Sequence, residues 1–128
     1  TSISDGLFDS FICDGQIIDV DIKNTKELYV VGCAEWGSAC GVLNLLNSNE
    51  TYKVLLEFSD WFYCKMKEEN IWCGTAVDFE GKIVERGLFC LKYDISDVGC
   101  IEYIEFPCVP NMHIFAVSVT TFEKGELL

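Results

Sequence analysis

Near Asn70 the hydrophobic period of this 128-residue chain changes, and that change constrains its architecture more than any other feature. Upstream, from Glu50 to Glu69, the residues Val54, Leu55, Phe58, Trp61, Phe62 and Met66 recur at three- and four-residue spacings. That spacing predicts an amphipathic helix over 50–69, with Lys53, Glu57, Asp60, Cys64 and Lys67 on the opposite stripe. The β-favouring aromatics Tyr52, Phe58, Trp61, Phe62 and Tyr63 support a rival reading of the same segment as a long strand. Downstream the period is two. Ile71, Cys73, Thr75, Val77 and Phe79 alternate with Trp72, Gly74, Ala76 and Asp78, and Glu80-Gly81-Lys82 turns the chain. Ile83 to Tyr93, Cys100 to Phe106 and His113 to Thr120 follow as strands, with connections at Asp94 to Gly99 and Pro107 to Asn111. The expectation is a C-terminal four-strand antiparallel meander.

At the other end, Leu7 to Cys13 and Gln16 to Ile22 flank Asp14-Gly15, a pair that supplies the positive φ angles of a type I′ turn, and so predict an N-terminal hairpin. Leu28 to Cys33 is a further strand, Gly32 to Gly41 is punctuated by glycines and assigned to no element, and Val42 to Leu46 reads as a helical turn. Asn47-Ser48-Asn49 then reads as a stop followed by a helix N-cap. Together these elements predict an α+β domain spanning 1–128, a mostly antiparallel sheet with one long helix packed on one face.

Composition bounds the rest. There are 21 Asp and Glu against 9 Lys and Arg, a formal charge of −12, with one Arg (Arg86) and one His (His113). Half the residues are apolar and 13% are aromatic, so the acidity decorates a folded surface and not a disordered tail. No apolar run approaches the roughly 20 residues needed to cross a bilayer as a helix. Thr1 to Gly6 carries no basic-then-apolar signal pattern. The densest basic cluster, Lys65 and Lys67, stands beside Glu68 and Glu69, which argues against nucleic-acid binding.

The eight cysteines (Cys13, Cys33, Cys40, Cys64, Cys73, Cys90, Cys100 and Cys108) mostly lie inside apolar runs and form no Cys-x-x-Cys pair. They read as reduced, structural thiols, with Cys73, Cys90 and Cys100 in the sheet core. Asn49-Glu50-Thr51 is a formal glycosylation triplet without meaning in a cytosolic protein. A cysteine nucleophile needs a base, and His113 is the one histidine; the acidic field opposes a thiolate, and a structural histidine is the plainer reading. Asp94-Ile95-Ser96-Asp97 lacks the completion of a calcium loop, and Gly37-Ser38-Ala39-Cys40-Gly41 has no following lysine to hold phosphate. No catalytic residue, metal site or cofactor is expected.

What remains is the distribution of charge. Residues 1–22 hold Asp5, Asp9, Asp14, Asp19 and Asp21 and no base; residues 94–106 hold Asp94, Asp97, Glu102 and Glu105 and no base. In strand Gln16 to Ile22, alternation puts Asp19 and Asp21 on the face away from Ile18 and Val20. Asp14, Asp19, Asp21, Asp97, Glu102 and Glu105 are therefore the expected partner-binding residues for a basic protein. In size, charge and lack of a catalytic motif, the chain is similar to the immunity proteins that bacteria pair with nuclease toxins. That likeness implies a cytoplasmic monomer that blocks a cationic toxin in a 1:1 complex. The alternatives are a phage or mobile-element protein that mimics nucleic acid, and a secreted disulfide-linked binding domain.

Overall fold

The computed structural model describes residues 11–60, 70–77 and 80–123. They form nine strands: β1 Phe11–Asp14, β2 Ile17–Lys23, β3 Thr25–Ala34, β4 Ala39–Leu46, β5 Thr51–Phe58, β6 Asn70–Val77, β7 Ile83–Asp94, β8 Cys100–Glu105 and β9 Cys108–Thr121. There is no helix among the described residues. The architecture is all-β, which corrects the expected α+β fold.

The pairing follows one rule. The chain runs out through β1, β2, β3 and β4, reverses at 47–50, and returns through β5, β7, β8 and β9, with β6 inserted as an extra strand hydrogen-bonded to β7. Antiparallel ladders join β4 to β5, β3 to β7, β2 to β8 and β1 to β9, so this much is a single long hairpin. Rolling it up adds two ladders, β3 with β9 and β4 with β8. The result is a five-stranded sheet, β1-β9-β3-β7-β6, and a four-stranded sheet, β2-β8-β4-β5. With β6 set aside, this is the strand order of a jelly roll.

Both arms of the hairpin cross from one sheet to the other at three corners, and backbone bonds continue through each. At the first, Gly15 N donates to Pro107 O (3.1 Å) and Phe106 N to Gln16 O (2.8 Å). At the second, Thr25 N donates to Gly99 O (3.2 Å) and Ile95 N to Lys26 O (3.0 Å). At the third, Ala34 N donates to Ser59 O (3.2 Å). The corners overturn the expected topology. Asp14-Gly15 does supply a positive φ (+72° at Gly15), but it bends the chain from one sheet into the other, and β1 and β2 do not pair. The last four strands are likewise no meander, because β8 joins the second sheet while β6, β7 and β9 stay in the first.

The helix prediction fails over Thr51–Phe58 for a visible reason. The segment satisfies both periods, and pairing with β4 selects the period of two. Leu55, placed on the helix's apolar stripe, is 51% exposed, whereas Leu56, outside that stripe, is fully buried beside Val54 and Phe58. Residues 61–69 of the expected helix lie outside the described residues. The expected N-cap is a loop device instead. Asn47 Oδ1 accepts from Asn49 N and Glu50 N, both at 2.9 Å, and Asn47 N donates to Glu50 O, closing the β4–β5 hairpin. Val42 to Leu46, read as a helical turn, belongs to β4.

Between the sheets lies one core, in which Leu28 and Val30 of β3, Leu43 and Leu45 of β4, Leu56 and Phe58 of β5 and Met112 and Ile114 of β9 are all but solvent-free. Each such side chain stabilises the fold by about 1.5–3 kcal/mol relative to exposure. Cys13 and Cys33 are buried here; Cys90 and Cys100 are only half-buried, contrary to expectation, and Cys73's side chain lies outside the described set. Gly32 permits the tightest approach. A Cβ there would stand 2.4 Å from His113 O and 2.9 Å from the Phe58 ring. The β3–β9 ladder also slips by one residue at this point, leaving Phe115 as the extra residue on β9.

Candidate functional site

The structure separates the six expected carboxylates. Asp19 and Glu105 lie on the outward side of the four-stranded sheet. One register row across its four strands reads Asp19, Tyr103, Leu46, Thr51, and the next reads Ile17, Glu105, Asn44, Lys53. Asp21 is exposed on the same strand as Asp19, opposite a slip in the β2–β8 pairing between Asp19 and Ile22. Glu102 and Glu105 are already engaged within the fold. Glu102 Oε1 accepts from Ser48 N (2.6 Å), and Glu105 Oε1 accepts from Asn44 Nδ2 (2.7 Å). Asp97 is exposed in the turn at the second corner, where its backbone carbonyl accepts from the Tyr52 hydroxyl (2.8 Å). Asp14 lies at the first corner.

Sequence reasoning missed the apolar part of this face. Seven large hydrophobic residues are exposed among those described, and four of them point outward from this sheet: Ile17 (60%), Tyr103 (47%), Val42 and Leu55. Val42 and Leu55 are cross-strand partners. Around them the non-core positions of these strands hold Asp19, Asp21, Glu57, Glu102 and Glu105 against Lys23 and Lys53. The clue lay in phase. Ile17 stands one residue out of step with Ile18, Val20 and Ile22, and a half-buried strand has no reason to put an isoleucine there.

The third corner carries the second concentration of unusual chemistry. Cys33 and His113 are paired in the β3–β9 ladder, with Glu35 and Asp60 close by. Burial, then the charges of Glu35 and Asp60, push the Cys33 thiol up to about 12, so at neutral pH it carries its proton. The Cys13 thiol, also buried, is pushed up to about 12 by desolvation. His113 Nε2 is buried, 3.4 Å from Glu35 Oε1, without a hydrogen-bond partner.

The loop from Glu35 to Ser38 is held from both sides. Asp60, itself buried, accepts from Gly37 N at Oδ2 (2.8 Å). Glu35 N donates to Asn111 O (3.1 Å), and Asn111 Nδ2 donates back to Glu35 O (3.1 Å). Out of this clamp projects Trp36, 88% exposed and in the left-handed region at φ +59°.

Other candidate sites resolve into structural features. Asp94 Oδ1 accepts from Ser96 N (2.9 Å) and Ser96 Oγ (2.7 Å), and these bonds hold its carboxyl below the usual range; the pair shapes a turn. No group of three or more His, Cys, Asp or Glu side chains suited to a metal ion occurs among the described residues. A groove of about 420 Å³ beside Phe11, Ile18, Phe106 and Phe115 has no ionisable group among its described lining residues, and the amide of Gln16 at its rim is occupied by Ile12 O and Asp14 N. The six cysteines whose side chains are described, Cys13, Cys33, Cys40, Cys90, Cys100 and Cys108, are free thiols. No described helix is long and apolar enough to cross a membrane. The sequence matches no protein-family model and no curated protein.

Proposed function

We propose that this chain is a non-catalytic binding protein that docks a cationic protein through the outer face of its four-stranded sheet. The observation that carries the reading is the gathering there of Ile17, Val42, Leu55 and Tyr103, exposed and interleaved with carboxylates. A binding face needs apolar area to bury and a polar rim to select its partner. Here the rim is acidic and the whole chain carries −12, so the selected partner is basic. The partner class we favour is a bacterial toxin domain, a nuclease for preference, whose phosphate-binding surface the acidic face would occupy and block. Within the six expected carboxylates the reading narrows to Asp19 and Asp21, because Glu102 and Glu105 already bond within the fold and Asp14 and Asp97 lie at the first and second corners, outside the four strands of this face.

The test pairs this chain with the product of the gene adjacent to its own. A basic product, a 1:1 complex and rescue of growth on co-expression support the proposal. Asp19→Lys with Asp21→Lys should slow association about ten-fold at low ionic strength and flatten its dependence on salt. Tyr103→Ala should act instead on the dissociation rate, since it removes buried area. A neutral or acidic partner, or association indifferent to salt from low to physiological ionic strength, refutes the electrostatic mechanism.

A further inference from the structure

Every corner of the rolled hairpin uses a left-handed residue, and the choice of residue differs. The first uses Gly15 (φ +72°) and the second uses Asn24 (φ +58°) and Gly99 (φ +84°). Glycine adopts such angles without strain, and asparagine is the side chain that tolerates them best. The third corner uses Trp36 (φ +59°) followed by Gly37 (φ +106°). For a bulky side chain this conformation is a genuine outlier. Burial does not compensate, because the indole is 88% exposed. Asp60, Asn111 and Ser59 nevertheless hold the backbone on both flanks of it. A strained residue held in place by its surroundings, contributing nothing to the core, is the pattern of a site kept ready for a ligand.

Charge indicates which ligand. Glu35, half-exposed, adjoins the indole in sequence, no Lys or Arg occurs between Glu27 and Lys53, and the chain as a whole is strongly acidic. An exposed indole in a negative field attracts cations to its face, and guanidinium, being planar and weakly hydrated, stacks there better than ammonium. We propose that Trp36 is a preformed anchor that stacks against an arginine side chain of a basic protein partner. Fixing the indole beforehand removes the ordering cost that a mobile tryptophan would bear on binding. The anchor rests on the cationic character of the partner proposed above, but it is a separate contact. It lies beyond the Ala39 end of β4, whereas the Asp19–Tyr103 row meets β4 at Leu46.

The experiment labels the protein with 5-fluorotryptophan and assigns the Trp36 resonance by its loss in Trp36→Phe. A nona-arginine peptide, a nona-lysine peptide and maltoheptaose are then titrated separately. The expected result is a saturable shift of the Trp36 resonance with the arginine peptide, a smaller one with lysine, and none with the sugar. Trp36→Ala and Trp36→Gly should each weaken the arginine peptide about five-fold. Asp19→Lys with Asp21→Lys should leave the Trp36 response in place, so that loss of the acidic face and loss of the anchor are read apart. Unchanged affinity in both Trp36 variants, a resonance that moves with maltoheptaose and not with arginine, or abolition of the Trp36 response by the Asp19/Asp21 variant overturns the proposal.

Discussion

The second and third corners of this jelly roll solve the same geometric problem with opposite results. At the second, Thr25 is 1% exposed, its hydroxyl donates to Ile95 O (2.8 Å) and accepts from Gly99 N (3.0 Å), and Ile95 is buried beside it. The bend is closed by a side chain that disappears into it. At the third, an equally complete set of bonds closes the bend around a side chain that never enters the protein. Passing a chain between two sheets therefore does not require an exposed tryptophan, and Asn24 shows what an inexpensive corner residue looks like. The difference separates residues that make the fold from a residue that the fold displays.

Three substitutions break or sharpen that comparison. The largest effect is expected from Phe58→Ala, which empties the floor of the third corner, where the Phe58 ring meets Gly32. A buried Phe truncated to Ala loses about 3–5 kcal/mol, read as a lower urea midpoint at unchanged slope. Next is Thr25→Val, which keeps the shape of the second corner and deletes its hydroxyl. Ile95 O retains Val98 N as a partner, so Gly99 N is the group left unpaired, at a loss of about 1–3 kcal/mol in the same measurement. The smallest effect has the opposite sign. Trp36→Gly relieves the left-handed strain and forfeits almost no burial, so the protein should become more stable by about 1 kcal/mol. A loss of stability in that variant equal to the Thr25→Val loss would erase the distinction between the corners.

Much of the strand content was legible. The period of two after Asn70 marks β6, the Glu80-Gly81 turn and β7 correctly, and the alternation of Ile18, Val20 and Ile22 marks β2. How the strands divide between sheets was not legible, because a bend that switches sheets and a turn that closes a hairpin call for the same residues. Asp14-Gly15 satisfies both, and only its distant partner Pro107 decides between them. The segment Thr51–Phe58 failed in a related way: its apolar residues fit a helix as well as a strand, and the deciding neighbours, Leu43 and Leu45, lie across a hairpin whose loop mimics a helix cap. Of the candidate site, the outward placement of Asp19 follows from alternation alone. The engagement of Glu102 by Ser48, and the clamp that turns a glycine-punctuated stretch into a mount for Trp36, arise from contacts between residues 23 to 76 positions apart in sequence.

The rolled hairpin also dictates an order of events in time. The β4–β5 ladder, closed by Asn47, joins near neighbours in sequence, whereas each ladder further from that tip closes a longer loop, until Phe11 meets Ile114. The entropy lost in closing a loop grows with its length, and chains dominated by such distant pairings fold in milliseconds to seconds. The tip is then the natural place for zippering to begin, and the strands nearest the two outer arms are the last to dock. Until they do, the edges of β8 and β9 stand unpaired, so the interval before β1 and β2 arrive is when this chain is most open to pairing with another copy of itself.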